Sequence, residues 1–193
     1  MTPGITVAIP SIPPRTLQLR RAVASVLDQT LPASALSIAL DHHREGAAAT
    51  RQRALDGVRT EWVAFLDDDD EFLPQHLQRC LEHATETDAD YVFPWFTIPQ
   101  QPGWDPLNGF GHPFDPASPR QTTITTLVRT DLAQSVGFLH PPEGGLIGGN
   151  VWGEDYQFTV GCVRAGAKIV PLHERTWLWH HHGHNTSGRP DRW

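Results

Sequence analysis

A chain of 193 residues, 39% hydrophobic and 19% charged, is sized for one domain with a sizeable core and is not a disordered polymer. Its formal net charge of −7 sets it apart from nonspecific nucleic-acid binders and from binders of anionic membranes, which carry a basic face. No apolar run reaches the roughly 18 to 20 residues that cross a bilayer, the N-terminus lacks a charged-then-apolar leader, and Cys80 and Cys162 show no CxxC spacing, so a soluble cytoplasmic protein without a disulfide framework is expected.

The first half alternates strands and helices. Ile5 to Ile9 is a short apolar run that stops at Pro10, as expected of a strand buried on both faces of a parallel sheet. A turn at Ser11 to Arg15 follows. Leu19, Ala22, Val23, Val26 and Leu27 then recur at helical spacing. Leu36 to Leu40 reads as a second strand ending at Asp41, and residues 46 to 58 as a helix. Trp62 to Leu66 is a third strand, running straight into Asp67-Asp68-Asp69-Asp70. A helix starts near Pro74, with Leu77, Cys80, Leu81 and Ala84 on one face, and Tyr91 to Phe93 is a fourth strand. This alternation predicts an α/β sandwich with a mostly parallel sheet. Ligands bind beyond the carboxyl ends of such strands. Pro10-Ser11, Asp41 and Asp67 to Asp70 all fall there.

The second half is less regular. Residues 94 to 121 form a long segment rich in Pro, Gly and aromatics, of the kind that is usually functional. A strand is expected over 123 to 129, a short helix from Thr130 to Val136 ended by Gly137, and a Gly-rich loop over 144 to 149. A helix follows from Glu154 to about Ala165, then a strand over Lys168 to Leu172 and a tail over 177 to 193.

Four adjacent carboxylates repel one another unless a cation or solvent screens them. A solvated acidic loop is the plain explanation. Delivery of the run to the ligand edge by a buried strand argues instead for a metal–diphosphate site, because Mg²⁺ and Mn²⁺ prefer a few carboxylate oxygens plus substrate phosphates. Glu154 and Asp155 at a helix start suit the helix dipole and alone prove little.

Taken together, Leu66-Asp67-Asp68-Asp69-Asp70, the Gly46 to Gln52 segment and Gly153-Glu154-Asp155 resemble the inverting GT-A glycosyltransferases of family 2, with their Leu-Asp-x-Asp-Asp, Gly-x-x-x-Ala-Arg-Asn and Glu-Asp motifs. Thr50 and Gln52 replace the Ala and Asn of the second motif. The resemblance covers nearly the whole chain. It implies a Rossmann-like GT-A α/β/α domain over 1–193, with a nucleotide-sugar half over about 1–93 and an acceptor half over about 94–193. It implies a nucleoside diphosphate sugar donor, a UDP-sugar foremost, with Mg²⁺ or Mn²⁺.

By the same resemblance, Asp69 is the main metal ligand and Asp67 contacts the ribose or the metal. Asp68 is the variable position in the cofactor-binding run, and Asp70 lies close to the donor sugar. Pro10, Ser11 and Arg15 match the first-strand turn at the nucleotide. Asp41 matches an acid that reads the base, although His42-His43 follow it where the family often has Asp, Gly and Ser. Arg51 can pair with a phosphate or an aspartate. Asp155 is the general base, a role that deprotonation of a sugar hydroxyl requires, and Glu154 orients the acceptor or the local backbone. His182-Gly183-His184-Asn185-Thr186-Ser187 is similar to the family's His-x-x-Asn-x-Ser element, which makes His182 a ligand to metal or diphosphate, with His180 and His184 next. A zinc centre built from these histidines alone fits less well, since partner cysteines are missing.

Trp95, Trp104, Phe110 and Trp152 can stack on sugar rings or pack their loops. The acceptor class stays open between glycan, protein, lipid and small molecule, with a modified DNA base disfavoured by the acidic balance. Two rival functions share the aspartates: a nucleotidyltransferase or phosphoesterase, and a sugar-nucleotide-binding module without turnover.

Overall fold

The computed structural model describes residues 3–119, 123–138, 146–147, 150–151 and 153–180. Nine strands and five α-helices are found among them: β1 Ile5–Ser11, α1 Thr16–Leu27, β2 Ala35–Leu40, α2 Ala47–Asp56, β3 Trp62–Phe65, β4 Glu71–Phe72, α3 His76–Thr87, β5 Tyr91–Thr97, β6 Leu127–Arg129, α4 Thr130–Val136, β7 Leu146–Ile147, β8 Asn150–Val151, α5 Glu154–Arg164 and β9 Ile169–Leu178. Seven strands form one sheet in the order β2-β1-β3-β6-β5-β9-β4, and β7 and β8 make a separate hairpin.

Strands β2, β1, β3, β5 and β9 run in one direction, while β6 and β4 pair antiparallel with their neighbours. The sheet is therefore mostly parallel, as the alternation predicts. Every residue of β3 is buried, and in β1 only Pro10 is not. That burial on both faces explains why these runs are apolar nearly throughout. The sheet order also explains the layers: α2 packs on β1 and β2, and α3 on β5 and β9.

Several expectations change at their edges. β5 continues through Trp95 to Thr97, because Pro94, Trp95 and Phe96 pair with β9 across two register shifts. β9 runs on to Leu178 and takes in the start of the predicted tail. The strand expected over 123–129 narrows to three residues. β4 and the β7–β8 hairpin have no sequence periodicity to announce them, being two residues long each. Cys80 and Cys162 lie in α3 and α5 as expected, and both are buried and free. No described helix is long and apolar enough to cross a membrane.

Three phenylalanines hold the second half onto the first. Phe138 stacks on Phe158 of α5 with centroids 4.6 Å apart, and Phe65 of β3 meets both edge-on at 5.3 and 5.7 Å. Each buried ring contributes roughly 1.5–3 kcal/mol. Their consequence for the site is positional: the strand that carries the aspartates and the helix that opens at Glu154 are packed on a shared aromatic block.

Candidate active site

The carboxyl ends of the five co-directed strands define one edge of the sheet, and the predicted residues gather there. A recess at this edge is lined by Pro10, Ser11, Arg15, Arg51, Asp67 and Asp68, together with Ile12, Ala47 and Thr50. The first six are site residues expected from the sequence.

The four aspartates separate by what they touch. Asp68 is buried, accepts a hydrogen bond from the Ser11 hydroxyl at 2.6 Å and pairs with Arg15 at 2.8 Å. It ties the acidic loop to the end of β1, so the expected variable position is an anchor of the loop. Asp67, Asp69 and Asp70 each offer an oxygen to a common point, with these atoms all within 4.8 Å of one another. Asp70, expected at the donor sugar, thus joins the carboxylate trio. It is 4% exposed and accepts the His180 backbone N–H at 2.9 Å.

The trio is under electrostatic load. Burial, then repulsion from Asp67, pushes the Asp69 carboxyl up to about 6 against the opposing pull of Arg15, 3.0 Å away. Burial and the charges of Asp69 and Asp67 hold Asp70 well above the ordinary carboxylate range. Clustered carboxylate oxygens, only partly offset by Arg15 and Arg51, suit a divalent cation such as Mg²⁺ or Mn²⁺. The residues present therefore fit the metal that the family resemblance implies.

Arg51 of α2 links this loop to the other half of the site. Its guanidinium donates to Asp67 at 2.6 Å and, through its other terminal nitrogen, to Glu154. It is 6% exposed, and the surrounding carboxylates raise its already high pKa despite burial. The start of α2 is set by Asp41. Both oxygens of that carboxylate accept backbone N–H groups, from Glu45 at 2.9 Å and Gly46 at 2.8 Å. Gly46 turns the chain with φ of +98°, a conformation that favours glycine. These backbone bonds hold Asp41 below the ordinary carboxylate range, although burial opposes them. The carboxylate expected at the base is 0% exposed, with its oxygens engaged by its own loop.

Asp155 sits in the first turn of α5, half-buried. Burial raises its carboxyl to about 6, Glu154 adds to the rise, and Arg51 opposes it. Its Oδ1 accepts the Tyr156 N–H at 2.7 Å. A Cβ at Gly153 would stand 2.8 Å from that oxygen. Gly153→Ala is therefore expected to turn the carboxylate away and slow any reaction that depends on it by about 10- to 100-fold. Steady-state kinetics beside a circular-dichroism melt will show the rate falling while the fold persists; an unchanged rate would disprove the positioning.

Of the two readings of Trp95, packing is the one seen: it is 3% exposed, stacks on Phe96 and donates its indole N–H to Asp105 at 3.2 Å. Trp104 and Phe110 are each 40% exposed. Trp152, His182 and His184 lie outside the described residues. His180 is described, and its ring meets Glu71 at 2.6 Å rather than the trio.

Two neighbours went unnoticed in the sequence. Arg21 donates to the Asp69 carbonyl at 2.8 Å and pairs with Glu71 at 2.9 Å, bracing the acidic loop from α1. Nothing in the sequence around either residue indicates the contact, which arises only when α1 and β4 meet.

Residues 35–131 match the family model described as Glycosyl transferase family 2. The protein described as "Putative teichuronic acid biosynthesis glycosyltransferase TuaG", from Bacillus subtilis (strain 168), is 36% identical over 67 residues, which cover 35% of this chain and 26% of that one. The crystal structure of S. aureus TarS 1-349 in complex with UDP-GlcNAc superposes with a TM-score of 0.76 at 15% identity, over 96% of this chain and 61% of that one. TarS 1-349 in a further crystal structure gives 0.72 at 16%, over 92% and 60%. At such identities the likeness to TarS is one of fold, and the GT-A architecture is the one expected. The chain spans about three fifths of the TarS 1-349 chain, and its match covers about a quarter of TuaG.

Proposed function

The chain belongs to glycosyl transferase family 2, and from that premise we propose that it transfers a sugar from a nucleoside diphosphate sugar to an acceptor hydroxyl with inversion at the anomeric carbon. A UDP-sugar is the proposed donor, a reading supported by the relative solved in complex with UDP-GlcNAc. Residues 1–93 form the donor half and 94–193 the acceptor half. The observation that carries the reading is the Arg51 bridge, which joins Asp67 to Glu154 and so brings the acidic loop and the base-bearing helix into one site.

Pro10, Ser11 and Arg15 border the recess proposed for the nucleotide and diphosphate, and Arg15 supplies positive charge there. Asp67, Asp69 and Asp70 would hold Mg²⁺ or Mn²⁺, with His182 as a further candidate ligand, and the ion when bound supplies positive charge to the diphosphate leaving group. Asp155 takes the proton from the acceptor hydroxyl as that oxygen forms its bond to the anomeric carbon. The bond from that carbon to the diphosphate oxygen breaks, and the nucleoside diphosphate leaves with the electron pair. Glu154, fixed by Arg51, holds the α5 turn that presents Asp155.

A thermal-shift series with UDP-, GDP- and dTDP-sugars, with and without Mn²⁺, tests the donor half. A UDP-sugar with Mn²⁺ should raise Tm by several degrees, since a ligand at about 100 times its Kd stabilises by about 2.7 kcal/mol. No shift with any nucleotide sugar would refute the donor assignment. Product analysis then separates the chemistry: nucleoside diphosphate is expected, whereas release of pyrophosphate or phosphate would point to a nucleotidyltransferase or phosphoesterase.

A further inference from the structure

Glu71 follows the carboxylate trio directly, on the two-residue strand β4, and its side chain meets partners from two distant parts of the chain. Its Oε1 accepts the Arg21 Nε–H at 2.9 Å and lies 2.6 Å from Nε2 of the His180 ring. A carboxylate only accepts, so that ring nitrogen carries the proton. Each partner also reaches the acidic loop. Arg21 donates from a terminal nitrogen to the Asp69 carbonyl at 2.8 Å, and the His180 backbone N–H donates to the Asp70 carboxylate at 2.9 Å. Glu71 thus closes a ring of contacts that runs through Arg21 to Asp69 and through His180 to Asp70.

The frame behind Glu71 is fixed independently of the loop. Glu71 and Phe72 pair with Leu178 and Trp177 of β9. The Phe72 N–H donates to the Ser25 hydroxyl at 3.0 Å, the Leu73 N–H to the Thr176 carbonyl at 2.8 Å, and the Gln29 amide to the Leu73 carbonyl at 2.8 Å. β4 is therefore held between the end of α1 and β9. The loop in front of it is under load. The oxygens of Asp67, Asp69 and Asp70 lie within 4.8 Å of one another, and like charges that close repel. The Asp69 carbonyl belongs to the peptide that joins two of the three. A bond to that peptide and a bond to the Asp70 carboxylate oppose the loop movement that would relieve the repulsion.

We infer that Glu71 is a positioning residue for the cation site: through Arg21 and His180 it keeps Asp69 and Asp70 converged, so that a divalent ion binds without first reordering the loop. The role rests on the assignment of the trio to Mg²⁺ or Mn²⁺, but it can fail separately. Groups that orient metal ligands are worth roughly 10- to 100-fold in metal affinity. The Glu71 and Arg21 side chains are 24% and 42% exposed, which places the effect at the low end. Charge and geometry make opposite predictions at Arg21. By charge alone, removing a cation beside the trio tightens Mn²⁺ binding; by geometry, it frees the peptide between Asp69 and Asp70 and weakens it.

Mn²⁺ titrated into the full chain, with and without UDP, tests it, bound metal being read from the loss of the electron paramagnetic resonance signal of free Mn²⁺ against a protein-free blank. Glu71→Ala should weaken Mn²⁺ binding about ten-fold, and Arg21→Met about three- to ten-fold. Glu71→Gln keeps an oxygen for both donors and should stay within about three-fold of wild type. The metal-free Tm of all three should stay near that of the wild type, since β4 keeps its backbone bonds. Tighter Mn²⁺ binding by Arg21→Met overturns the inference, because charge alone then governs. So does Glu71→Gln binding as weakly as Glu71→Ala. A lowered metal-free Tm with unchanged Mn²⁺ affinity makes the ring of contacts purely structural and overturns it as well. A wild type that takes up no Mn²⁺ in either condition removes the trio as a cation site and the role of Glu71 with it. Wild-type Mn²⁺ binding that all three variants match removes the role of Glu71 alone and leaves the transferase reading standing.

Discussion

Asp155→Asn should lower transfer by about 10²- to 10⁴-fold while the Tm rise caused by donor and Mn²⁺ stays as in the wild type. The amide retains an oxygen to accept the Tyr156 N–H, so the α5 turn keeps its geometry. What it loses is the ability to take a proton. The variant should fold at least as well as the wild type, because burial and Glu154 already oppose a charge at this position. The pH profile provides a second readout. The carboxyl is raised to about 6, so below that value it carries its proton and cannot act as a base. Wild-type kcat should therefore fall on the acid side of about 6 and level off above it, and the residual activity of Asp155→Asn should lack that limb. Near-normal transfer by the folded variant would remove Asp155 from the chemistry.

The sequence revealed the strands of this site better than it revealed the contacts between them. β1 and β3 are apolar because both their faces are covered, and that made them readable without a partner in view. The convergence of Ser11, Arg15, Arg51 and Asp67 followed from topology and the motif resemblance, and the recess at the sheet edge brings those residues together. Three things were not readable. Asp41 and Asp68 carry the residue type of a ligand contact, yet one organises backbone N–H groups and the other holds Ser11 and Arg15. A carboxylate gives no sign in sequence of which donors will reach it. Trp95 falls in a Pro- and Gly-rich stretch that suggests an open loop, but pairing with β9 carries it into the core. The Arg21–Glu71 brace joins residues 50 positions apart by number, on elements of which one is only two residues long. Each of these depends on tertiary placement, to which neither periodicity nor motif spacing is sensitive.

Asp69→Asn should abolish transfer to at least about 100-fold below wild type and at the same time leave the metal-free protein as stable or more so. The sign follows from the load on the cluster. A carboxyl raised from 3.8 to about 6 binds its proton more tightly in the folded chain than in the unfolded one. The stability it contributes is complete below about 3.8 and is lost as the pH rises through about 6, where the folded protein must ionise Asp69 against burial and Asp67. Asn removes that cost and keeps an oxygen for Arg15. Mn²⁺ removes the same cost in the wild type. Its stabilisation, about 5 to 10 °C in Tm at 100 times its Kd, should be larger at pH 7.5 than at about pH 5, where protons compete for the cluster. Asp69→Asn should lose most of that increment at both pH values. Asp68→Ala provides the contrast. It leaves the Ser11 hydroxyl without its buried acceptor and Arg15 with Asp69 alone, so it should cost about 1–3 kcal/mol in the metal-free protein yet keep the Mn²⁺ response. Differential scanning fluorimetry of the three proteins against pH, with and without Mn²⁺, reads both effects in one series. A Mn²⁺ response that survived Asp69→Asn and vanished in Asp68→Ala would reverse the division of the four aspartates into a cation-holding trio and an anchor.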